Sequence, residues 1–383
     1  MQPHDWLYLR TGRYFAAVAD GLEEMASGEL TELGCAEIRP TFRGLHFTGG
    51  NEALYRANYE SRICTRIFAP LVTFDCHSAK YLYRTAREID WPALFSVERT
   101  FAITSNVSDS AVKHSQYASL VLKDAIVDHF RDATGRRPDV ERRDPDVWLD
   151  LFIFRNHATI SFDTSGGSLH RRGYRLDGGR APMQETVAAA VVKMSGWVGE
   201  TRLYDPMCGS GTLLAEALMS FCRIPAGYLR ERFGFESMPG FDAGAWKAVR
   251  RAADSAVRAL PEGLIGGSDI SGEAVRTSRR NLSSLPGGDG VRVRESPFRD
   301  LDDLGGATIL TNPPYGIRMG EEVEVEGMMK ELGDFLKHSC KGSKAFIYFG
   351  NRRMLKHIGL RAEWRKPLRS GPLDGRLAAF DLY

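Results

Sequence analysis

Four consecutive residues, Asn312-Pro313-Pro314-Tyr315, carry groups that can hold and orient an aromatic amine. They follow a short apolar run, Ala307-Thr308-Ile309-Leu310, of the kind that forms a buried strand in a parallel sheet. The tetrapeptide, continued by Gly316-Ile317-Arg318, therefore falls at a strand's C-terminal end, where open α/β sheets bind their ligands. Two successive prolines hold the backbone extended and remove two N–H donors, so carbonyls can face a pocket without a competing donor. The Asn312 side-chain oxygen and the Pro313 carbonyl are two acceptors, enough for the two hydrogens of an exocyclic amine. Tyr315 adds a flat face for a nucleobase. Taken alone, the same residues also suit a proline-stiffened surface turn.

A second constellation, Asp205-Pro206-Met207-Cys208-Gly209-Ser210-Gly211-Thr212, joins a strand at Leu203-Tyr204 to a helix over Leu213–Phe221. Its glycines permit a tight turn and close approach of backbone to a ligand, and the helix start offers free N–H groups to an anionic end. It is neither the dinucleotide fingerprint nor a P-loop. An Asp at the strand end followed by Gly-x-Gly suits a ligand bearing both an amine and a carboxylate, and S-adenosylmethionine is such a ligand. A catalytic thiol at Cys208 is the rival reading, with no histidine placed beside it by sequence. One βα unit later, Asp269 ends the strand Leu264–Ser268, where ribose hydroxyls are bound in this architecture; capping the helix Gly272–Leu282 is its other use. A third strand, Val291–Arg294, runs into Glu295-Ser296-Pro297.

These motifs need elements to position them. From Leu203 onward the pattern is strand, loop, helix, repeated, which is the sequence form of a parallel, doubly wound sheet. The first half reads differently. Trp6–Tyr14 alternates as a strand, Leu22, Met25, Ala26 and Leu30 have helical spacing, and Glu37–Phe47 alternates again, the size of half a ferredoxin-like unit. Tyr55–Ile67 reads as a second helix, Leu71–Cys76, Phe101–Val107, Trp148–Arg155 and Thr159–Asp163 as strands, and Tyr117–Thr134 as an amphipathic helix. Ser165–Arg175 concentrates Gly, Ser and Arg and reads as a loop or hinge rather than core. Arg223–Gly244, rich in Gly, Pro and aromatics, reads as an insertion covering one edge of the second sheet.

With 383 residues, two or three domains are expected. A formal charge of +2 excludes a strongly basic chain, so any nucleic-acid surface has to come from local clusters. Two stand out. One is Arg136, Arg137, Arg142 and Arg143, followed by Arg171 and Arg172 beside Tyr174. The other is Arg352, Arg353, Lys356, Arg361, Arg365, Lys366 and Arg369, with Glu363 as its one acidic neighbour. Either is also readable as a solvated face. Six scattered cysteines without a C-x-x-C pair argue against a zinc site or disulfide framework, and no signal-peptide or membrane-spanning pattern is present, so a cytoplasmic protein without bound metal is expected.

The Asp-Pro-x-Cys-Gly-Ser-Gly-Thr turn, Asp269 and Asn-Pro-Pro-Tyr-Gly-x-Arg together resemble the motifs of Rossmann-fold, S-adenosylmethionine-dependent methyltransferases that modify exocyclic amines. Gly21-Leu22-Glu23-Glu24, Tyr55-Arg56-Ala57-Asn58, Lys123–Asp128, and Ser168–Arg175 with Ala181-Pro182 and Glu185 are similar to the THUMP-containing RNA methyltransferases, in particular the bacterial large-subunit rRNA guanine-N2 methyltransferases. The likeness spans essentially the whole chain. It implies an α/β architecture in three parts: a ferredoxin-like domain over 1–65, a THUMP RNA-binding domain over 66–168 and a class I methyltransferase domain over 169–383.

The same resemblance implies S-adenosylmethionine contacts from Asp205, Pro206, Cys208, Gly209, Gly211, Thr212, Asp269, Ile270, Asn312 and Glu185. Catalytic positioning falls to Asn312, Pro313, Pro314 and Tyr315, and RNA contact to Arg136, Arg137, Arg142, Arg143, Arg171, Arg172 and Arg318. Arg318 is also the nearest donor for a guanine carbonyl, or a salt bridge holding its loop. The family usually carries an Asp after the third strand for the cofactor adenine; here Ser296-Pro297 occupies that place, leaving Glu295, Asp300 or the backbone to serve. The implied substrate is guanine N2 of 23S rRNA, with tRNA guanine N2, or a non-catalytic role in ribosome assembly, as alternatives. Asn-Pro-Pro-Tyr is shared with adenine-N6 DNA methylases, and the THUMP-like half points to RNA.

Overall fold

The computed structural model describes residues 6–176, 183–315, 321–371 and 373–383. The expected strand over 6–14 is a short helix, α1 (Leu7–Thr11), followed by β1 (Arg13–Ala17). Trp6, Tyr8 and Tyr14 are all buried, as alternation requires, but the backbone turns at Gly12, which takes φ +60° and donates to the Tyr8 carbonyl at 2.9 Å. After α2 (Glu23–Glu32), β2 (Ala36–Thr41) and β3 (Gly44–Thr48) comes α3 (Asn51–Glu60), which stops seven residues short of the expected Ile67. A side chain ends it. The Glu29 carboxylate, from α2, accepts from the Arg62 and Ile63 N–H groups at 2.8 and 3.1 Å and from the Ser61 hydroxyl at 2.7 Å. Backbone donors committed to that carboxylate cannot extend the helical ladder.

The next strand, β4 (Arg66–Asp75), belongs to two units at once. Its first residues pair antiparallel with β1, completing the ferredoxin-like order β2-β3-β1-β4. From Phe68 to Asp75 it pairs antiparallel with β7 (His157–Asp163), which is followed outward by β6 (Val147–Phe154) and then by β5 (Phe101–Ser108), parallel to β6. The first half is thus one seven-stranded sheet. Its second portion carries α4 (Ala79–Arg87) and α5 (Ser115–Thr134) on one face, where Leu82, Leu122, Ile126 and Phe130 pack with the buried Leu149, Leu151 and Ile153 of β6.

The second half contains α6 (Glu185–Ser195), β8 (Leu203–Asp205), α7 (Thr212–Phe221), α8 (Ala243–Ser255), β9 (Ile265–Asp269), α9 (Gly272–Ser283), β10 (Arg292–Glu295), β11 (Thr308–Thr311), α10 (Glu321–Ser339), β12 (Lys344–Phe349), β13 (Trp364–Pro367) and β14 (Arg376–Asp381). Its sheet has the order β10-β9-β8-β11-β12-β14-β13. The first five of these are parallel, while β14 runs antiparallel to both neighbours. Strand order reverses between β8 and β11, which opens the crevice where such sheets bind ligands. Both sequence motifs lie at that reversal.

The segment Arg223–Gly244 does not lie along a sheet edge; it clasps the two halves together. Phe233, Phe235 and Phe241, with Trp246 of α8, close on Tyr55 and Tyr59 of α3, and Trp246 meets Tyr59 and Phe235 edge-on at 5.2 and 5.1 Å. The Tyr8 hydroxyl donates to the Pro239 carbonyl, and the Arg230 guanidinium donates to the carbonyls of Ser165 and Ser168. Ser165–Arg175 is likewise more than a loop, because Ser165, Leu169, Arg172 and Tyr174 are all buried.

Arg172, expected to touch RNA, is 1% exposed and faces inward. Its Nε lies 3.4 Å from the buried Glu216 carboxylate of α7, and its other nitrogens donate to the Leu169 and Arg62 carbonyls. The Tyr174 hydroxyl donates to the same Glu216 oxygen at 3.0 Å. Removing one member of a buried ion pair strands the other charge. Arg172→Met should therefore cost roughly 3–5 kcal/mol of stability in urea unfolding, and Arg172→Met with Glu216→Leu should recover much of it. A variant with unchanged stability but weakened RNA affinity would return Arg172 to the surface role.

Candidate active site

The site is built where β8 and β11 end side by side. Asp205, the last residue of β8, is 1% exposed, and its Oδ1 accepts the Met207 N–H at 3.0 Å. Burial pushes its carboxyl up to about 7. The turn that follows is tied to the neighbouring strand end: the Cys208 N–H donates to the Ser268 carbonyl and the Gly209 N–H to Asp269 Oδ2, both at 2.9 Å. Asp269 Oδ1 accepts the Ser271 N–H, while α9 is capped by Ser271 itself, so Asp269 braces the turn instead of capping a helix.

The two glycines have separate physical reasons. Both take positive φ, +53° at Gly209 and +81° at Gly211. A Cβ at Gly209 would meet nothing within 4 Å, so its backbone borders open space, as a cradle for a ligand requires. A Cβ at Gly211 would collide with the Ser278 side chain, so Gly211 serves the packing of α7 on α9. Cys208 is buried, and burial raises its thiol well above the ordinary range. Burial of this kind disfavours a thiolate.

Around this turn, Thr212 is the first residue of α7, and its hydroxyl accepts from Arg175 at 3.0 Å. Arg175 also lies 3.4 Å from Glu185 Oε1, whereas Glu185 Oε2 is buried without a hydrogen-bond partner. Pro206 is buried, and Ile270 presents an apolar side chain that is 65% exposed at the end of β9. In parallel register, Glu295 stands opposite Asp269, and its carboxylate packs on Gly272 at the start of α9. Asp300 sits on a separate short turn. Of the candidates to replace the missing Asp after the third strand, Glu295 is therefore the one placed beside Asp269.

At the end of β11, Thr311 is buried, Asn312 is half-buried, and Pro313 is buried while Pro314 is exposed. The Tyr315 hydroxyl donates to Asn312 Oδ1 at 2.9 Å. The Tyr315 ring meets Tyr348 of β12 nearly edge-on, with centroids 6.2 Å apart. It also lies so close to Gly350 that a Cβ there would be 2.5 Å from the ring. Gly350, Tyr348 and Arg175 were not legible as site residues. The glycine directly after the apolar strand Lys344–Phe349 was the available signal, since a glycine at a parallel strand's C-terminal end permits close approach.

Among the arginines expected to meet RNA, Arg136, Arg137, Arg142, Arg143 and Arg171 are exposed, and Arg136 pairs with Glu98 at 2.8 Å. Arg318 lies outside the described residues. The C-terminal basic stretch finds counter-charges from elsewhere, with Arg352 on Asp374 at 3.0 Å and Arg369 on Asp20 at 2.8 Å. The second of these pairs bridges the two halves. Among the described residues no helix is long and apolar enough to cross a membrane.

The whole arrangement has counterparts. A family model described as the RMKL-like methyltransferase domain matches residues 172–379, a THUMP domain model residues 76–163, and an RlmL ferredoxin-like domain model residues 13–68. A Synechocystis protein assigned as an RNA methyltransferase is 38% identical over 97% of this chain and 97% of its own length. The ribosomal RNA large subunit methyltransferase K/L of Syntrophotalea carbinolica is 36% identical over 97% of this chain but 53% of its own, so the chain spans about half of that relative. A protein assigned as a methyltransferase and crystallised with S-adenosylhomocysteine superposes with a TM-score of 0.84 at 26% identity, covering 97% of this chain and 98% of that one.

The buried Asp205 has a measurable consequence. Burial pushes its carboxyl up to about 7 in the folded protein, against ~3.9 in the unfolded chain. Between those values only the folded state holds the proton, so this group's contribution to stability declines as pH rises through that window and is constant above it. Asp205→Asn should gain stability relative to the unmodified chain from about pH 4 to about pH 7, then level off. Thermal unfolding across that range checks this, and a pH-independent difference would contradict it.

Proposed function

The chain belongs to the RMKL-like methyltransferase family with THUMP and RlmL-type ferredoxin-like domains, and from that premise we propose that it methylates guanine N2 in large-subunit ribosomal RNA. S-adenosylmethionine is the cofactor; when bound, it supplies an electrophilic methyl group on a sulfonium. The residues present fit that ligand. Gly209 borders open space, the N-terminus of α7 offers N–H groups to a carboxylate, and Asp205 offers a carboxylate to an ammonium. Asp269, with Glu295 beside it, provides acceptors for ribose hydroxyls, and Ile270 an apolar surface for the adenine.

The observation that carries the reading is the Tyr315–Asn312 hydrogen bond at the end of β11. It joins an aromatic face to an amide acceptor within one rigid, doubly proline-braced turn, next to the β8 turn. The two functions needed to seat a planar amine are therefore pre-positioned. Asn312 Oδ1 and the Pro313 carbonyl accept the amine hydrogens, which frees nitrogen electron density for in-line attack, and Tyr315 stacks the base once it is rotated out of its helix. Loss of a proton after transfer needs no dedicated base. The exposed arginines of the first half hold the RNA by its phosphates. The names of the curated relatives favour large-subunit rRNA as substrate.

Asn312→Ala should lower single-turnover methyl transfer by about 10²–10³-fold, the scale for loss of one pre-positioned polar group, while cofactor affinity by calorimetry stays within about twofold. Near-normal turnover would remove Asn312 from the chemistry. For the substrate, protein-free large-subunit rRNA, tRNA and duplex DNA incubated with labelled S-adenosylmethionine should show N2-methylguanine in the rRNA alone by nucleoside mass spectrometry. N6-methyladenine would overturn the base, and a product confined to tRNA would overturn the substrate.

A further inference from the structure

The first sheet has one face covered by α4 and α5 and another that these helices leave open. On the open face of β6, Phe152 and Phe154 are 43% and 42% exposed, with ring centroids 6.4 Å apart and planes 28° from parallel. Isolated exposed apolar residues need no explanation. Two aromatic rings aligned on one open strand face are a different feature. Resting on the reading of the protein as an RNA methyltransferase, we propose that this face is a base-stacking platform for an unpaired stretch of RNA, with Phe152 and Phe154 as its two stacking surfaces.

The surroundings of the rings favour nucleic acid over protein. Cross-strand partners share a face, and those of Phe152 and Phe154 are polar on both sides. Asn106 and Ser108 stand beside them on β5, and Thr159 and His157 on β7. An interface core for a protein partner would surround the rings with apolar side chains and exclude charge. Here an amide and a hydroxyl flank Phe152, and a hydroxyl and an imidazole flank Phe154.

Cations sit at both ends of the same strand. The Arg155 guanidinium lies 5.0 Å over the Phe154 ring, and that of Arg66 lies 5.4 Å over the Trp148 ring, four residues before Phe152. Asp150, two residues before Phe152 on the same face, accepts the Thr104 hydroxyl at 2.7 Å. Asp109 is paired with Arg155 and Asp75 with His157, at 3.2 and 2.8 Å. Beyond Trp148 the strip runs into the junction with the second half, where Gly167 lies beside the Trp148 indole and Arg171 is exposed. Flat faces for bases, hydrogen-bonding flanks and positive charge along the path are what single-stranded RNA requires of a binding track.

The full chain and two double variants, F152A/F154A and F152L/F154L, test this. Affinity for a short, fluorescein-labelled cytidine–adenosine repeat RNA is followed by anisotropy over a range of salt, with unfolding temperature and S-adenosylmethionine binding measured alongside. Both variants should bind the single strand about thirtyfold more weakly, the low end for two stacking contacts. Their salt dependence should be unchanged, because no phosphate contact is lost. Leucine should be no better than alanine, since it keeps apolar bulk without a flat face. Unfolding temperature and cofactor binding should not move.

Unchanged single-strand affinity, or affinity restored by leucine, would overturn the platform. So would light scattering that finds the unmodified chain dimeric and F152A/F154A monomeric, which would assign the face to a second copy. If the unmodified chain binds S-adenosylmethionine but no RNA, the RNA reading falls together with the platform. If it binds and methylates RNA while the variants match it, only the platform falls.

Discussion

The buried Glu216 carboxylate holds the molecule's two functions in one frame. It sits on α7, one turn beyond the Thr212 that opens the helix at the glycine turn, and it is fully enclosed. Arg172 and Tyr174, from the segment joining the halves, converge on it, and Arg172 in turn donates to the Arg62 carbonyl of the first half. Arg62 itself donates to the Met219 and Ile224 carbonyls at the far end of α7. Charges buried in this way are costly to separate, so the pair resists any sliding of one half over the other. The helix whose N-terminus faces the cofactor crevice is thereby referenced directly to the sheet proposed to carry RNA.

Around that frame the crevice depends on a balance between acidity and burial. Asp205 is enclosed in the end of β8 and half-neutralised near pH 7, while Asp269 spends its two oxygens on backbone donors of two different turns. The glycines divide in the same manner, Gly209 leaving room and Gly211 permitting contact with Ser278. Tyr315 is held by Asn312, Tyr348 and Gly350, so the aromatic face proposed to stack a base is set by packing. Pre-positioning of this kind lowers the entropic cost of an alignment-limited transfer.

The clasp formed by Phe233, Phe235, Phe241 and Trp246 has a mechanical role at the junction. It converts a composition that reads as loop, rich in glycine and proline, into a packed aromatic core shared by α3 and α8. The ion pair between Arg369 and Asp20 adds a weaker, exposed tie near the C-terminal hairpin.

The sequence by itself determined the parts whose signals are local. Strand–loop–helix repeats, the Gly-x-Gly turn after Asp205 and the doubly proline-stiffened turn after Leu310 each follow from steric rules that act within a few residues, and all three were legible. Local pattern misled where a distant group intervened. A helix expected to run to Ile67 ends at Glu60 because Glu29, far away in the chain, takes its next backbone donors. Arg172 reads as a surface arginine because its partner Glu216 is 44 residues away. The strand β4 joins two units because pairing on its two edges is a property of the sheet, invisible in its own residues. Which arginine is exposed, which carboxylate keeps its proton and which glycine faces open space were decided by tertiary structure, because burial and charge pairing are set by neighbours in space.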